Sequence, residues 1–176
     1  DCLANEAQLF NSNFENGTPG WEFSDPRAWS VIQTDDSNTP ALRGEGHVHA
    51  FAGENWGEVV WRMLVKIIDG NVHLNFHSKD GNRYLVSFNE NGTHVTRNPQ
   101  SAMGMGMGTS GIRHALGEWH VVEIGLQKDL FYVAVDGYLE IEQTEPDPLP
   151  PGGIWLEVLD DSEVLFDEIF VCKPGA

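Results

Sequence analysis

The feature that most limits the fold of this chain is a two-residue alternation of apolar and polar side chains, interrupted by Asx-Gly pairs. Residues 72–77 alternate strictly and are followed by Asp80-Gly81, and residues 84–88 are followed by Asn91-Gly92. A period of two places successive side chains on opposite faces of a strand, and an Asx-Gly pair is a strong hairpin signal. The pattern therefore predicts antiparallel strands joined by tight turns.

The same pattern continues through most of the chain after residue 45. We predict strands at residues 59–68, 72–77, 84–88, 93–96, 119–126, 130–135, 138–141, 154–158 and 164–171. No segment offers three helical turns of apolar spacing without Gly or Pro. Many short strands at roughly 8–12-residue spacing are typical of a sandwich or barrel. We expect one all-β domain over residues 1–176, a two-sheet antiparallel β-sandwich.

Two segments interrupt the alternation. Residues 101–108 contain alternating Met and Gly, and the backbone entropy of Gly disfavours a strand. We therefore expect a mobile loop there, with thioethers that offer an adaptable apolar surface. The proline-rich residues 146–151 are expected to form an extended connector.

The net charge of the chain limits the classes of molecule that it is expected to bind. The chain has 27 acidic and 10 basic residues, a formal net charge of −17. Phosphate contacts require clustered Lys and Arg, so we expect no nucleic-acid partner, and anionic membranes are disfavoured for the same reason. No apolar run approaches the roughly 18 residues of a membrane span, so no membrane insertion is expected. An acidic surface suits a secreted protein.

The only two cysteines, Cys2 and Cys172, bracket almost the whole chain. The ends of compact domains often lie close together, so a disulfide between them is expected, with two free thiols as the alternative. Such a bridge would close a loop of about 170 residues, for which the chain-entropy model gives roughly 5 kcal/mol. A disulfide indicates an oxidising compartment. We expect a secreted chain, either already processed or a module of a larger secreted protein.

The order of aromatic residues, glycines and alternating strands resembles a known superfamily. The residues that carry this resemblance are Leu9–Gly17, Gly20-Trp21, Trp29–Ile32, Leu42, Gly44–Gly46, Trp119, Val122, Ile124, Phe131–Gly137, Gly153–Leu156 and Phe166–Val171. The pattern is similar to the concanavalin A-like, laminin-G-like jelly roll, as in family 66 carbohydrate-binding modules and keto-disaccharide hydrolase relatives. The resemblance implies a carbohydrate ligand, although fold alone does not give function.

Alternation also predicts which side chains face outward. With the apolar set of each strand in the core, the intervening residues share the outer face. The resemblance implies that the outer face of one concave sheet holds the ligand. The residues predicted to lie there are Arg62, His73, His77, Arg83, Glu123, Tyr132, Trp155 and Glu157. Trp155 and Tyr132 would stack on sugar rings, and the charged groups would read hydroxyls.

These residues favour non-catalytic, lectin-like binding of an oligosaccharide or polysaccharide. The first alternative is a polysaccharide-degrading enzyme on the same face. It would be a glycoside hydrolase using Glu123 and Glu157 as a carboxylate pair, or a lyase with His77 or Tyr132 as base. The chain lacks the Glu-x-Asp-x-x-Glu run of family 16 glucanases. The second alternative is a laminin-G-like adhesion or protein-interaction domain. Were the sheet face not the site, Trp29 and Trp56 would be the next candidates.

Two metal sites can be considered. The resemblance implies a structural Ca²⁺ where the first and last strands meet, held by Glu15 and Asp167, since carboxylate oxygens suit this ion. His47 and His49 would share one face of a strand and could ligate a metal. Two ligands alone do not make a site.

Overall fold

A computed structural model describes residues 1–36 and 38–175, which form fifteen strands and one three-residue 3-10 helix at Pro26–Ala28. The first eight strands are β1 (Ala7–Ser12), β2 (Glu22–Phe23), β3 (Trp29–Gln33), β4 (Pro40–Glu45), β5 (Val48–Trp56), β6 (Val60–Asp69), β7 (Asn71–Lys79) and β8 (Asn82–Asn89). The other seven are β9 (Gly92–Ser101), β10 (Gly104–Ser110), β11 (His120–Gln127), β12 (Leu130–Val135), β13 (Tyr138–Thr144), β14 (Gly152–Val158) and β15 (Glu163–Lys173). Among these residues no helix has the length and apolar composition needed to cross a membrane.

The strands form two antiparallel sheets that pack face to face. The seven-stranded sheet has the order β10-β9-β8-β7-β14-β5-β2. The eight-stranded sheet has the order β13-β12-β11-β6-β15-β4-β3, and β1 pairs with the second half of β15 on the edge where β4 pairs with the first half. The predicted two-sheet antiparallel sandwich is confirmed.

The core lies between the sheets and is built from the inward rows that alternation predicts. On β7, for example, Val72, Leu74 and Phe76 are at most 1% exposed, and the predicted inward residues of β11, β12 and β14 are buried as well. Burial of apolar area contributes about 25 cal/mol per Å². A one-residue slip of any strand would move its apolar row into water, so the register of each strand is fixed by this row.

The Asx-Gly pairs form the turns that the sequence predicts. Asp80-Gly81 joins β7 to β8, and Asp136-Gly137 joins β12 to β13, with positive φ at all four residues. This backbone conformation at both central residues is that of a type I′ turn, whose twist matches that of paired strands.

The two ends of the chain meet at β15. Cys2 and Cys172 form a disulfide, which confirms the predicted pairing, and β1 runs alongside the last residues of β15. The bridge and the strand pairing hold the same seam between the first and last segments.

The Met-Gly segment differs from the prediction. Residues 104–110 form β10, which pairs antiparallel with β9 through two register shifts. Met107 is buried in the core, and the glycines adopt the positive φ that bulges require, at Gly104 and Gly108. One buried Met thus anchors a strand that the entropy of Gly disfavours, while Met103 and Met105 remain exposed.

Candidate functional site

Glu157 stands at the centre of the outer face of the seven-stranded sheet. It lies on β14, directly opposite His73 of β7 and His49 of β5. Residues opposite each other on paired strands share one face, so these three side chains form a row across the sheet. Glu157 is 8% exposed, which is unusual for a carboxylate unless it is paired.

The carboxylate of Glu157 is surrounded by basic side chains. Its Oε1 lies 2.8 Å from Nδ1 of His73 and accepts from Nη1 of Arg83 at 3.4 Å. Its Oε2 lies 3.6 Å from Nε2 of His49 and 3.7 Å from Nε2 of His47. Three imidazoles and one guanidinium therefore converge on one acid.

This environment sets the protonation states of the cluster. Burial opposes ionisation of Glu157, but His73, Arg83 and His49 outweigh that effect and lower its pKa to about 2. Burial also lowers the pKa of His49, an effect that the negative charge of Glu157 opposes. The carboxylate is therefore ionised throughout the physiological range.

An aromatic pair adjoins this row on the same face. Trp155 stacks on Phe51 of β5 with ring centroids 5.2 Å apart, and its ring also contacts His49 at 5.0 Å. The guanidinium of Arg83 lies 4.9 Å from the centre of the indole. Phe51 is 36% exposed, so the pair presents apolar surface to solvent.

An open groove of about 460 Å³ lies beside this pair. Its walls are the aromatic pair, the β7–β8 turn and one residue of β9: Phe51, Ser78, Lys79, Asp80, Gly81, Asn82, Arg83, Asn98 and Trp155. Its size lies within the range of roughly 300–1,000 Å³ typical of small-molecule sites. The groove combines aromatic surface with amide, carboxylate and cationic groups.

The prediction that eight residues share one face is wrong. His73, Arg83, Trp155 and Glu157 lie on the seven-stranded sheet. Arg62, Glu123 and Tyr132 lie on the outer face of the eight-stranded sheet. Alternation distinguishes inside from outside, but it does not tell which sheet a strand joins. The ligand-binding role of the first four residues stays a prediction.

His77 lies in the interior, contrary to the alternation of β7. A register shift follows Phe76, and His77 has a φ of 50°, so its side chain turns inward and is 2% exposed. Its Nε2 lies 2.8 Å from the carbonyl oxygen of Gly57, and its Nδ1 lies 3.1 Å from that of Leu149. Burial lowers its pKa. His77 holds the connector before β14, and it does not line the groove beside Trp155.

The cluster on the eight-stranded sheet is closed upon itself. Arg62 donates to both oxygens of Glu6, at 2.6 and 2.9 Å, and to Glu123 at 2.5 Å. The hydroxyl of Tyr132 donates to the other oxygen of Glu123 at 2.7 Å. A Cβ on Gly125 would lie 2.2 Å from the Tyr132 ring, so the glycine allows this ring to lie flat across β11. Burial and the charge of Glu123 raise the Tyr132 pKa. These groups satisfy one another and tie the amino-terminal segment to the sheet.

This arrangement separates the predicted carboxylate pair. Glu123 and Glu157 are on opposite outer faces of the sandwich, whose sheets are themselves about 10 Å apart. A glycosidase pair must span about 5–9.5 Å across one glycosidic bond. Glu123 and Glu157 therefore cannot act as such a pair.

Sequence reasoning missed Phe51, and it placed His47 and His49 on one strand face without linking that strand to Glu157. His47, His49 and Phe51 alternate with Val48, Ala50 and Ala52, which are buried. The small inward alanines weaken the apolar signal of this strand, although the period of two is present. Of the reserve aromatic candidates, Trp29 is buried in the core and Trp56 packs on Phe10 at 5.6 Å.

Asp167 lies at the seam, and Glu15 follows β1, the strand that pairs with the last residues of β15. Asp167 is 3% exposed and sits at a break in β15, where β4 pairing ends and β1 pairing begins. Its Oδ1 accepts from the Glu168 N–H at 2.7 Å and its Oδ2 from Thr39 Oγ1 at 3.3 Å. Burial, with the charges of Glu168 and Glu15, raises the Asp167 pKa. The Ca²⁺ site expected at Glu15 and Asp167 stays a prediction.

The stability that Glu157 gains from its basic neighbours should depend on pH. Because its folded-state pKa is lowered to about 2, its ionised form stabilises the fold above the ordinary pKa near 4.5, and this contribution is lost as pH falls toward 2. Urea unfolding should show wild type more stable than Glu157→Gln at pH 5, with the difference shrinking toward pH 2. The exposed Glu142→Gln variant on β13 is the control. A difference independent of pH over this range would contradict the assignment.

No protein-family model matches the chain, and no curated protein matches it by sequence. Solved structures do match its fold. Carbohydrate-binding module CBM66 from Bacillus subtilis is 16% identical with a TM-score of 0.63, over 85% of this chain and 93% of that one. Domain 4 of AbnA, a GH43 extracellular arabinanase from Geobacillus stearothermophilus solved with arabinotriose, is 8% identical with a TM-score of 0.70, over 97% and 94%.

A β-glucanase from Bacillus licheniformis is 13% identical with a TM-score of 0.71, over 92% of this chain and 96% of that one. Identities this low establish the fold and nothing finer. The chain has the concanavalin A-like sandwich fold that its sequence predicts, and in fold it resembles carbohydrate-binding modules and glycosidase-related domains.

Proposed function

We propose that the chain is a secreted, non-catalytic module that binds an oligosaccharide or polysaccharide on the outer face of its seven-stranded sheet. The observation that carries this proposal is the aromatic pair Trp155–Phe51, which lines an open groove together with Arg83. The disulfide Cys2–Cys172 supports an extracellular location.

The groove has the two chemical properties that sugar recognition requires. An aromatic ring covers the apolar C–H face of a pyranose, and Phe51 offers such a surface in the groove wall. Hydroxyl groups need donors and acceptors at fixed positions, which Arg83, Asn82 and Asn98 supply. Arg83 is itself held by Asn75 Oδ1 at 3.0 Å and by Glu157, so its guanidinium is oriented before a ligand arrives.

The neighbouring folds support the same class of ligand. CBM66 is a carbohydrate-binding module, and the arabinanase domain was solved with arabinotriose. Binding is favoured over hydrolysis because Glu123 is on the opposite sheet, so the expected carboxylate pair is absent from this face among the described residues. Of the two expected lyase bases, His77 is buried, and Tyr132 lies on the opposite sheet with its hydroxyl hydrogen-bonded to Glu123.

Truncation of Trp155 should abolish sugar binding. A glycan array identifies the ligand, and isothermal titration calorimetry then compares wild type with Trp155→Ala. Loss of a central aromatic contact of at least about 2 kcal/mol weakens binding at least about thirtyfold. Tyr138→Ala is the matched control, because Tyr138 is 72% exposed on the eight-stranded sheet, and it should leave the affinity unchanged.

Two outcomes would contradict this proposal. Unchanged affinity in Trp155→Ala would place the site elsewhere on the molecule. Release of new reducing ends or unsaturated sugars from a bound polysaccharide would make the chain an enzyme.

We also propose that Glu15 and Asp167 hold a structural Ca²⁺ at the seam. The ion takes six to eight oxygen ligands, and the hydroxyl of Thr39, which directly precedes β4, contacts Asp167 Oδ2. The ion would offset the repulsion among the Asp167, Glu168 and Glu15 carboxylates.

Calcium should raise the melting temperature, and a chelator should lower it. At an ion concentration one hundred times Kd the gain is about 2.7 kcal/mol, or roughly 5–10 °C for a domain of this size. Asp167→Asn should lose this response and, in chelator, melt at or above the wild-type temperature, because a buried charge has been removed. Asp129→Asn, in the exposed turn after β11, should respond like wild type. A wild-type melting temperature indifferent to calcium would refute the site.

A further inference from the structure

Two histidines and one buried carboxylate converge beside the groove. His47 directly precedes β5, His49 is on β5 and Glu157 is on β14. One ring nitrogen of each histidine and one carboxylate oxygen of Glu157 all lie within 4.8 Å of one another. The side chains are 51%, 27% and 11% exposed in that order, so the cluster is buried at its base and open to solvent at its outer side.

The distances within the cluster are those of shared ligands rather than of hydrogen bonds. Oε2 of Glu157 is 3.7 Å from Nε2 of His47 and 3.6 Å from Nε2 of His49. An N–H···O hydrogen bond spans about 2.7–3.2 Å. Donor atoms on a tetrahedral Zn²⁺, with bonds of about 2.0–2.2 Å, lie about 3.4 Å apart. The two distances from Oε2 to the imidazole nitrogens are therefore within a few tenths of an ångström of the spacing between ligands of one metal ion.

The two oxygens of Glu157 are used differently. Oε1 lies 2.8 Å from Nδ1 of His73 and 3.4 Å from Nη1 of Arg83. Oε2 accepts no hydrogen bond from residues 1–36 or 38–175, since both imidazole nitrogens near it are beyond 3.5 Å. One oxygen is thus anchored by neighbouring side chains, and the other is left for a ligand.

The other nitrogen of the His47 ring faces a second carboxylate. Its Nδ1 is 3.4 Å from Oδ1 of Asp160, on the side of the ring opposite Nε2. In metal sites the ring nitrogen of a histidine that does not bind the metal commonly donates a hydrogen bond to a carboxylate. This hydrogen bond fixes the tautomer and raises the basicity of the ligand. Asp160 with His47, and His73 with Glu157, would serve as such outer partners.

We propose that His47, His49 and Glu157 form a transition-metal site on the outer face of the seven-stranded sheet, with Zn²⁺ as the ion that this donor set suits. Imidazole nitrogen with one carboxylate oxygen suits Zn²⁺, Cu²⁺ and Ni²⁺ and disfavours Ca²⁺ and Mg²⁺. Three protein ligands leave a fourth position open to solvent. None of the three proposed ligands is among the residues that line the sugar groove.

Titration of the full chain with Zn²⁺ alone tests this site. Isothermal titration calorimetry should give one Zn²⁺ per chain for wild type. His47→Gln and His49→Gln should each weaken binding at least about a hundredfold, since even outer partners are worth 10–100-fold. His94→Gln is the matched control, because His94 is exposed on β9 of the same sheet and its Nδ1 contacts Thr109. It should bind Zn²⁺ like wild type.

A second variant separates a metal site from an ion-pair network. Asp160→Asn removes no ligand and should weaken Zn²⁺ binding by about 10–100-fold. His47 is half exposed, so His47→Gln should retain the wild-type fold, which circular dichroism verifies. The proposal is overturned if wild type binds no Zn²⁺, if both ligand variants keep wild-type affinity, or if His94→Gln weakens binding as much as they do.

Discussion

Burial of the inward row of β14 fixes the candidate site. Ile154, Leu156 and Val158 are at most 1% exposed between the sheets, and pairing with β7 and β5 on either side holds the strand in register. Because side chains alternate, this packing forces Trp155 and Glu157 onto the outer face. A shift of one residue would place both in the core and three apolar residues in water. The energy that builds the core thus also positions the surface groups.

The two outer faces of the sandwich differ in how fully their polar side chains are hydrogen-bonded to one another. On the eight-stranded sheet, Arg62, Glu6, Glu123 and Tyr132 form short mutual hydrogen bonds that leave little capacity for a ligand. On the seven-stranded sheet, the contacts of Glu157 with histidines are longer on one side, and the adjoining aromatic surface is exposed. The face of the eight-stranded sheet binds the amino-terminal segment through these hydrogen bonds. The face of the seven-stranded sheet leaves polar and aromatic side chains available to a ligand.

The strands and turns could be predicted because each depends on local pattern. The inward row of β7 up to Phe76 and the Asp-Gly turn after β12 carry their own signal, and both were found as expected. Sheet membership is different, because it depends on which strands pair across long separations. Arg62 and Arg83 therefore looked equivalent in sequence and lie on opposite sheets. His77 escaped prediction because one bulge reverses the alternation, and Met107 because a single buried contact outweighs the glycines around it.

The central claim is that the ligand surface is the outer face of the seven-stranded sheet. Chemical-shift mapping by two-dimensional ¹H–¹⁵N NMR, with the oligosaccharide selected by a glycan array, tests it directly. The account predicts that the largest shifts fall on the Trp155 indole N–H and on amides of β5, β7, β8 and β14. Shifts concentrated on β6, β11 and β12 would contradict it, because the ligand would then occupy the opposite sheet.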